Sequence, residues 1–288
     1  MNNKPQQLKR EVADWMDYEL LDSGNQEKCE RFGGVTVVRP EPQALWSPVR
    51  PEVWASATAR FEQRGDDGSW RVKSEPPESW SAEWNGLRFG LRLSSFKHTG
   101  VFPEQAVNWA FLQENLRPDA KLLNLFGYTG GATLAALSAG AEVVHVDASR
   151  PAIAAARRNA ELSGLADRPA RWIEDDAMKF VQREVRRERR YDAIVLDPPA
   201  FGRGPKGEIW RFETGLRPLL AECARLLDAD GILIVNAYSL GFPALVVEQT
   251  VREAFPSAVE VESVELTLPE RTERGFLLPA GITVRARV

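Results

Sequence analysis

An apolar run, Leu122-Leu123-Asn124-Leu125-Phe126, enters a glycine turn, Gly127-Tyr128-Thr129-Gly130-Gly131, and leaves it as a helical stretch beginning at Ala132. A strand that feeds a helix through so short a turn must be followed by another strand laid beside it, because each element buries its apolar face on the other. The chain repeats this alternation. Apolar strands are expected at 143–146, 170–173 and 191–196, with a helix at 151–163 between the first two. A helix around 216–227 then leads into a strand at 232–236, and late strands at 259–268 and 282–288 close the set. The helix at 151–163 is well bounded, with Ser149 as its N-cap, Pro151 in its first turn and Gly164 as its stop. The pattern is α/β and predicts a doubly wound, mostly parallel sheet.

Before about residue 90 the pattern differs. Short β-like runs at 35–38 and 87–93 are separated by Pro and Gly clusters, and six of the nine tryptophans fall here: Trp15, Trp46, Trp54, Trp70, Trp80 and Trp84. That aromatic area can build a small core, although the same rings can also stack on bases. The expected division is a small β-rich domain over 1–90, with a substrate-binding role, and a larger domain over 91–288.

Composition narrows the setting. No apolar run approaches the roughly 20 residues that span a bilayer, and residues 1–10 are polar and basic without a secretory core. Two cysteines, Cys29 and Cys223, make neither a disulfide framework nor a zinc site, no other spacing resembles a metal cluster, and a reducing cytoplasm fits best. A net charge of −4 argues against a protein that coats nucleic acid by bulk charge. The arginines Arg183, Arg186, Arg187, Arg189 and Arg190, interleaved with Glu184 and Glu188, are expected to form a solvated helical face.

The chemistry collects where expected strands end. The glycine turn brings backbone N–H groups and a helix N-terminus to a ligand bearing a carboxylate or polar sugar. Asp147, about 20 residues after Gly127, stands where an acid in such a unit accepts ribose hydroxyls. The glycine spacing is not GxGxxG, which weakens a dinucleotide reading. At the end of the next strand, Glu174-Asp175-Asp176-Ala177 offers an acceptor for an adenine amino group; Asp176 is the first choice and Asp175 the expected cap of the following helix. Asp197-Pro198-Pro199-Ala200-Phe201 follows the strand at 191–196. The prolines fix the backbone and are expected to leave carbonyls free beside the Asp197 carboxylate. Together they form a grip for a planar amine on which Phe201 can stack. His98 is a candidate proton carrier, and His145, inside an apolar strand, reads as core.

Taken together, LNLFGYTGG, Asp147 in HVDAS, EDDA and DPPAFGRGPKGEIWRFE resemble the class I S-adenosylmethionine-dependent methyltransferases grouped with the ribosomal RNA large-subunit methyltransferases. The upstream FKHTGVFPEQ is similar to that family's K-T-G-x-F-x-D-Q segment, with His98 in place of Lys and Glu104 in place of Asp. The resemblance covers roughly residues 85 to 240. It implies a Rossmann-like, seven-stranded class I methyltransferase sheet and S-adenosylmethionine as cofactor. It also implies a cofactor site of Lys97, Thr99, Gln105, Asn124, Phe126, Gly127, Tyr128, Thr129, Gly130, Asp147, Ala148, Ser149, Asp175, Asp176, Ala177 and Asp197. Asp197, Pro198, Pro199 and Phe201 become the catalytic group, and Phe102, Arg203, Lys206 and Tyr238 substrate contacts. Members that methylate cytosine carbon carry Ser-Cys-Ser where this chain has Asn236-Ala237-Tyr238-Ser239, so a nucleobase nitrogen in RNA is the expected target. A metabolite or protein side chain as acceptor, an NAD(P)-binding oxidoreductase and a non-catalytic cofactor-binding regulator remain alternatives.

Overall fold

The structure, a computed structural model, describes residues 9–288 other than 66, 79, 95–96 and 239–241. Residues 1–8, and Phe96 and Ser239 of the two quoted motifs, lie outside the described residues. The N-terminal part carries β1 (Lys9–Val12), β2 (Tyr18–Gly24), β3 (Glu27–Phe32), β4 (Val35–Pro40), a short α1 (Pro51–Ala55), β5 (Ala59–Arg64), β6 (Asp67–Val72), β7 (Trp80–Trp84) and β8 (Leu87–Leu91). After a 3-10 turn at Pro103–Gln105 come α2 (Ala106–Asn115), β9 (Lys121–Leu125), α3 (Gly131–Ser138), β10 (Glu142–Asp147), α4 (Arg150–Leu162), β11 (Ala170–Glu174) and α5 (Ala177–Arg186). The chain ends with β12 (Tyr191–Leu196), β13 (Phe201–Arg203), β14 (Ile209–Arg211), α6 (Phe212–Cys223), β15 (Leu227–Ala237), α7 (Ala244–Ala254), β16 (Glu260–Pro269) and β17 (Leu277–Arg287).

The central sheet runs β11-β10-β9-β12-β15-β17-β16. Neighbours from β11 to β15 are parallel, and β17 lies antiparallel to both β15 and β16. These are the seven expected strands. An eighth, β1, joins the far edge in parallel with β16, so the N-terminal segment is stitched into the larger sheet. From β9 the chain winds outward to β10 and β11, then returns to the other side of β9 as β12. Strand order therefore reverses between β9 and β12, and their C-terminal ends open the crevice where ligands of such sheets bind.

The N-terminal part is a five-stranded sheet, β2 to β6 in order, plus the β7–β8 hairpin. Its aromatic residues pack inward. Trp109 of α2 stacks on Phe89 at 5.0 Å and 26°, with Trp15 and Trp84 edge-on at 5.7 and 5.4 Å. Trp15, Trp80 and Trp84 are buried, and Trp46 and Trp70 pack partly buried against the same core. One apolar cluster runs across residue 90, from Trp15 and Phe32 to Leu122 and Val143. The arginine-rich stretch is ion-paired surface: Arg183 with Asp175, Arg187 with Glu184 at 2.9 Å, and Arg190 with Asp228 at 2.9 Å. Among the described residues, no helix is long and apolar enough to cross a membrane.

Candidate active site

The turn after β9 holds two non-glycine residues in the left-handed region, Phe126 at φ 57° and Tyr128 at φ 47°. Backbone strain of this kind persists only where surroundings over-determine it, and here they do. Gly127 N–H bonds the Val146 carbonyl at 3.0 Å and Tyr128 N–H bonds Asp147 Oδ2 at 2.8 Å. Thr129 Oγ1 donates to the Gly100 carbonyl at 2.6 Å, and Asn159 Nδ2 donates to the Thr129 carbonyl at 2.9 Å. The glycines serve different ends. Gly130 sits at φ 92°, whereas Gly127 and Gly131 give room: a Cβ would lie 2.4 Å from the His145 ring and 2.3 Å from Trp109. Gly130 is the N-cap of α3 and no side chain caps that helix. Its first-turn N–H groups thus remain open beside Gly131 and Ala132.

Asp147 ends β10 half-buried, and burial raises its carboxyl above the usual range. Oδ2 holds the turn through Tyr128, and Oδ1 accepts Ser149 N–H at 2.7 Å. Each oxygen retains accepting capacity for a hydroxyl pair. Ser149 caps α4 as expected, accepting Ala152 N–H at 3.3 Å, with Ala148 between the two. At the end of β11 the expected capping assignment is reversed. Asp176, not Asp175, caps α5 by accepting Lys179 N–H at 2.9 Å, because it is the residue adjoining Ala177, where the helix begins. Asp175 is drawn instead to Arg183.

Across the crevice, β12 delivers Asp197. Its Oδ1 is buried and has no hydrogen-bond partner among the described residues. Burial raises the carboxyl to about 7, and Glu104 and Asp147 push the same way, against the Tyr238 hydroxyl and the Asn236 amide. The expectation of free carbonyls at both prolines needs correction: the Pro199 carbonyl accepts Trp210 Nε1–H at 2.8 Å, because the β13–β14 hairpin folds Trp210 back over it. That hairpin presents Phe201, 48% exposed, between the guanidinium groups of Arg203 and Arg211 at 5.9 and 5.4 Å from its ring. Lys206 lies exposed in its loop. Neither Arg203, Lys206 nor Arg211 has an ion pair among the described residues.

One pocket gathers Phe102, Gln105, Asn124, Phe126, Gly127, Tyr128, Thr129 and Asp197 from the expected set. It adds Val101, Trp109, Gly131, Ala132, Val195 and Asn236. Phe102 packs against Tyr128 at 5.5 Å and Tyr238 at 5.9 Å, forming an aromatic wall. Asn124 also serves the core, donating to Thr133 Oγ1, which in turn meets His145 Nδ1, both at 2.9 Å. His145 is core as expected, although its Nε2 lacks a partner among the described residues, and burial lowers it to about 3. Thr99 is buried, and its hydroxyl has no partner among the described residues. Of the expected residues, Lys97, Thr99, Gly130, Asp147, Ala148, Ser149, Asp175, Asp176, Ala177, Pro198, Pro199, Phe201, Arg203, Lys206 and Tyr238 are not among the lining residues. Lys97 faces the charges of Lys28, Glu41, Arg39 and Glu30, and its carbonyl accepts from Arg39. Burial lowers His98 to about 4, so it is neutral at neutral pH, with its ring 5.2 Å from Phe102.

Glu104 was not assigned a role from sequence. It is buried, and burial raises it to about 7 beside Asp197. Asn236 was legible as the last polar residue of an apolar strand and the start of the segment set against Ser-Cys-Ser, with no role of its own. Cys29 and Cys223 are buried outside this pocket, and burial raises both thiols, Cys29 to about 12.

The family model of S-adenosylmethionine-dependent methyltransferases matches residues 43–273. Over its sequence the chain is similar to the ribosomal RNA large subunit methyltransferase K/L of Methylococcus capsulatus, 29% identical across 90% of this chain and 34% of that protein. It is 30% identical to the ribosomal RNA large subunit methyltransferase K of Neisseria meningitidis serogroup B, across 78% of this chain and 67% of that protein. The chain thus spans between about a third and two thirds of these curated relatives. In three dimensions it resembles a SAM-dependent methyltransferase from Agrobacterium tumefaciens with a TM-score of 0.92, at 40% identity over 99% of this chain and 94% of that one.

Proposed function

The chain belongs to the S-adenosylmethionine-dependent methyltransferase family, and from that premise we propose that it methylates a nucleobase nitrogen of ribosomal RNA without a covalent cysteine intermediate. The observation that carries the reading is the buried Oδ1 of Asp197 at the switch point, without a partner among the described residues, four positions before the exposed Phe201 ring that lies near the guanidinium groups of Arg203 and Arg211. The names of the sequence relatives support RNA as the substrate class.

The crevice fits the cofactor at both ends: open N–H groups at α3 suit its carboxylate, and the half-buried Asp147 suits its ribose hydroxyls. Asp175, Asp176 and Ala177 would border the adenine, with Lys97, Thr99 and Gln105 closing the near side. When bound, S-adenosylmethionine supplies an electrophilic methyl group. Asp197 in its charged form accepts an N–H of the base amine, aims the nitrogen lone pair and takes the proton the nitrogen sheds. Pro198 and Pro199 hold that carboxylate in place, and Phe201 stacks on the base. Phe102 and Tyr238 wall the pocket, while Arg203 and Lys206 meet phosphates. Residues 1–90 form the substrate-binding side. Both thiols are buried and held protonated, so neither serves as a nucleophile. Free buried thiols also suit a cytoplasmic protein.

Mass spectrometry of ribosomal RNA nucleosides from cells with and without the chain tests this. One N-methylated nucleoside should disappear in the deletion. An unchanged profile, or loss of a C-methylated cytosine instead, overturns the reading.

A further inference from the structure

The β13–β14 hairpin carries side chains that its own folding leaves unused. In its register Phe201 stands opposite Arg211, Gly202 opposite Trp210 and Arg203 opposite Ile209. Side chains alternate across a strand, so Gly202 and Trp210 share the inner face while Phe201, Arg203, Ile209 and Arg211 share the outer one. The inner face is filled. Trp210 is buried, its ring lies 4.9 Å from that of Phe126, and its Nε1–H donates to the Pro199 carbonyl at 2.8 Å. Gly215 makes room for the indole, which a Cβ there would meet at 2.6 Å. At the base of the hairpin Phe212 N–H bonds the Ala200 carbonyl at 3.0 Å. In its turn Glu208 accepts from Lys206 N–H at 2.8 Å and from the Lys179 ammonium of α5. The hairpin is thus pinned at its base, along its inner face and at its turn, and the outer face is left open.

That outer face is a checkerboard. Phe201, 48% exposed, and Ile209, 63% exposed, occupy one diagonal, and Arg203 and Arg211 occupy the other. Both guanidinium groups approach the Phe201 ring, at 5.9 and 5.4 Å, and neither has an ion pair among the described residues. Glu208, the one acid of the hairpin, is already committed to Lys179. Like charges gathered around one ring, in a chain whose net charge is −4, call for an anion. The exposed isoleucine beside them calls for an apolar surface in the same partner. A nucleotide strand offers phosphates and flat apolar bases in alternation, and diagonal neighbours on a hairpin stand about 7–8 Å apart, close to one step of an extended strand. In a duplex both faces of a base are covered by its neighbours, so Phe201 and Ile209 reach only bases that are unpaired. We propose that the outer face of the hairpin is a platform for two adjoining unpaired nucleotides of RNA. Phe201 takes the acceptor base, Ile209 takes the base next to it, and Arg203 and Arg211 take the phosphates. The proposal rests on RNA as the substrate and deepens that reading: the acceptor lies in a single-stranded or looped-out segment whose next nucleotide is held outside the pocket. A pinned hairpin loses little freedom on binding. Contact with base faces tolerates any sequence, so the platform selects the unpaired state rather than the base.

The test reads binding and does not require methyl transfer. The full chain is titrated into a labelled RNA of mixed sequence, about 12 nucleotides long, free and annealed to its complement, and fluorescence anisotropy gives the affinities. The single strand should bind about tenfold tighter than the duplex or better. Ile209→Ala should weaken single-strand binding about fivefold and leave both duplex binding and the salt dependence as in the wild type. Arg211→Ala should weaken binding and also flatten the plot of log affinity against log salt, its slope shrinking by about 0.7. Both side chains are exposed and lack hydrogen bonds among the described residues, so the variants should fold, and unchanged S-adenosylmethionine affinity verifies this. Equal affinity for strand and duplex overturns the proposal, as does the absence of RNA binding. So does single-strand affinity that survives Ile209→Ala and falls only in Arg211→Ala, which would make the face a plain cationic patch. The two readings fail separately. RNA that gains a methyl group while Ile209→Ala binds it like the wild type removes the platform alone, and the expected losses in a protein that methylates no RNA remove the functional reading alone.

Discussion

Asp197→Asn should make the protein more stable and less active, with a pH signature. The wild-type carboxyl titrates at about 7, against 3.8 when unburied. Between these values the folded state holds a proton that the unfolded state has released, so stability falls as pH rises from about 4 and levels off above about 7. The full displacement corresponds to about 4 kcal/mol, and water reaching the pocket mouth brings the expected figure to about 2–4 kcal/mol. Asparagine keeps the shape and cannot ionise, so its advantage over wild type should be small at pH 4.5 and largest at pH 8. Urea denaturation of both proteins at the two pH values gives the comparison, with transfer of labelled methyl measured alongside. The advantage at pH 8 should exceed that at pH 4.5 by about 2 kcal/mol or more, while methyl transfer falls at least about a hundredfold. A stability difference that does not vary with pH would refute the burial argument. Undiminished transfer would refute the assignment of Asp197 as acceptor.

Wild-type methyl transfer should rise with pH through about 7 on a single limb as Asp197 ionises, and a rate flat from pH 6 to 8 would contradict this. Gly131→Ala places a methyl group 2.3 Å from the Trp109 ring, so chemical denaturation should show a loss of about 1–3 kcal/mol or more. Asp147→Ala releases Tyr128 and Ser149 together, and calorimetry should find S-adenosylmethionine affinity down by about tenfold or more. Phe201→Ala should leave both stability and cofactor affinity unchanged yet weaken RNA binding by about 1–3 kcal/mol.

The inner parallel strands were legible because each is a nearly continuous apolar run bounded by turn residues, as doubly buried strands must be, whereas β11 at the sheet edge is only partly buried. The rim acids followed from the same logic, since a polar residue directly after such a run falls at a strand end. Elements without that contrast were hidden. In α2, Ala106–Asn115, apolar residues face both the N-terminal aromatic cluster and α3, so no single face stands out. The β13–β14 hairpin is three residues a side, too short for alternation to register, although it carries Phe201 and clamps Pro199 through Trp210. β1 reads as a polar tetrapeptide because it is an exposed edge strand, yet it supplies Glu11 to Arg285. That Asp176 rather than Asp175 caps α5 turned on where the helix starts, a boundary that sequence fixes only to within a residue or two. Glu104, Asn108 and Arg285 were silent for a different reason. A buried polar group is indistinguishable in sequence from a solvated one until its partners are brought beside it, as Asn236 and Arg285 are to Asn108 from 128 and 177 residues away.

Incubation of the purified chain with labelled S-adenosylmethionine and protein-free ribosomal RNA from cells lacking it, followed by nucleoside analysis, meets the central claim directly. Label should appear on a base nitrogen, at a single nucleoside, and should survive prior alkylation of accessible thiols. Label absent from RNA, or carried on a cytosine carbon, would contradict the account.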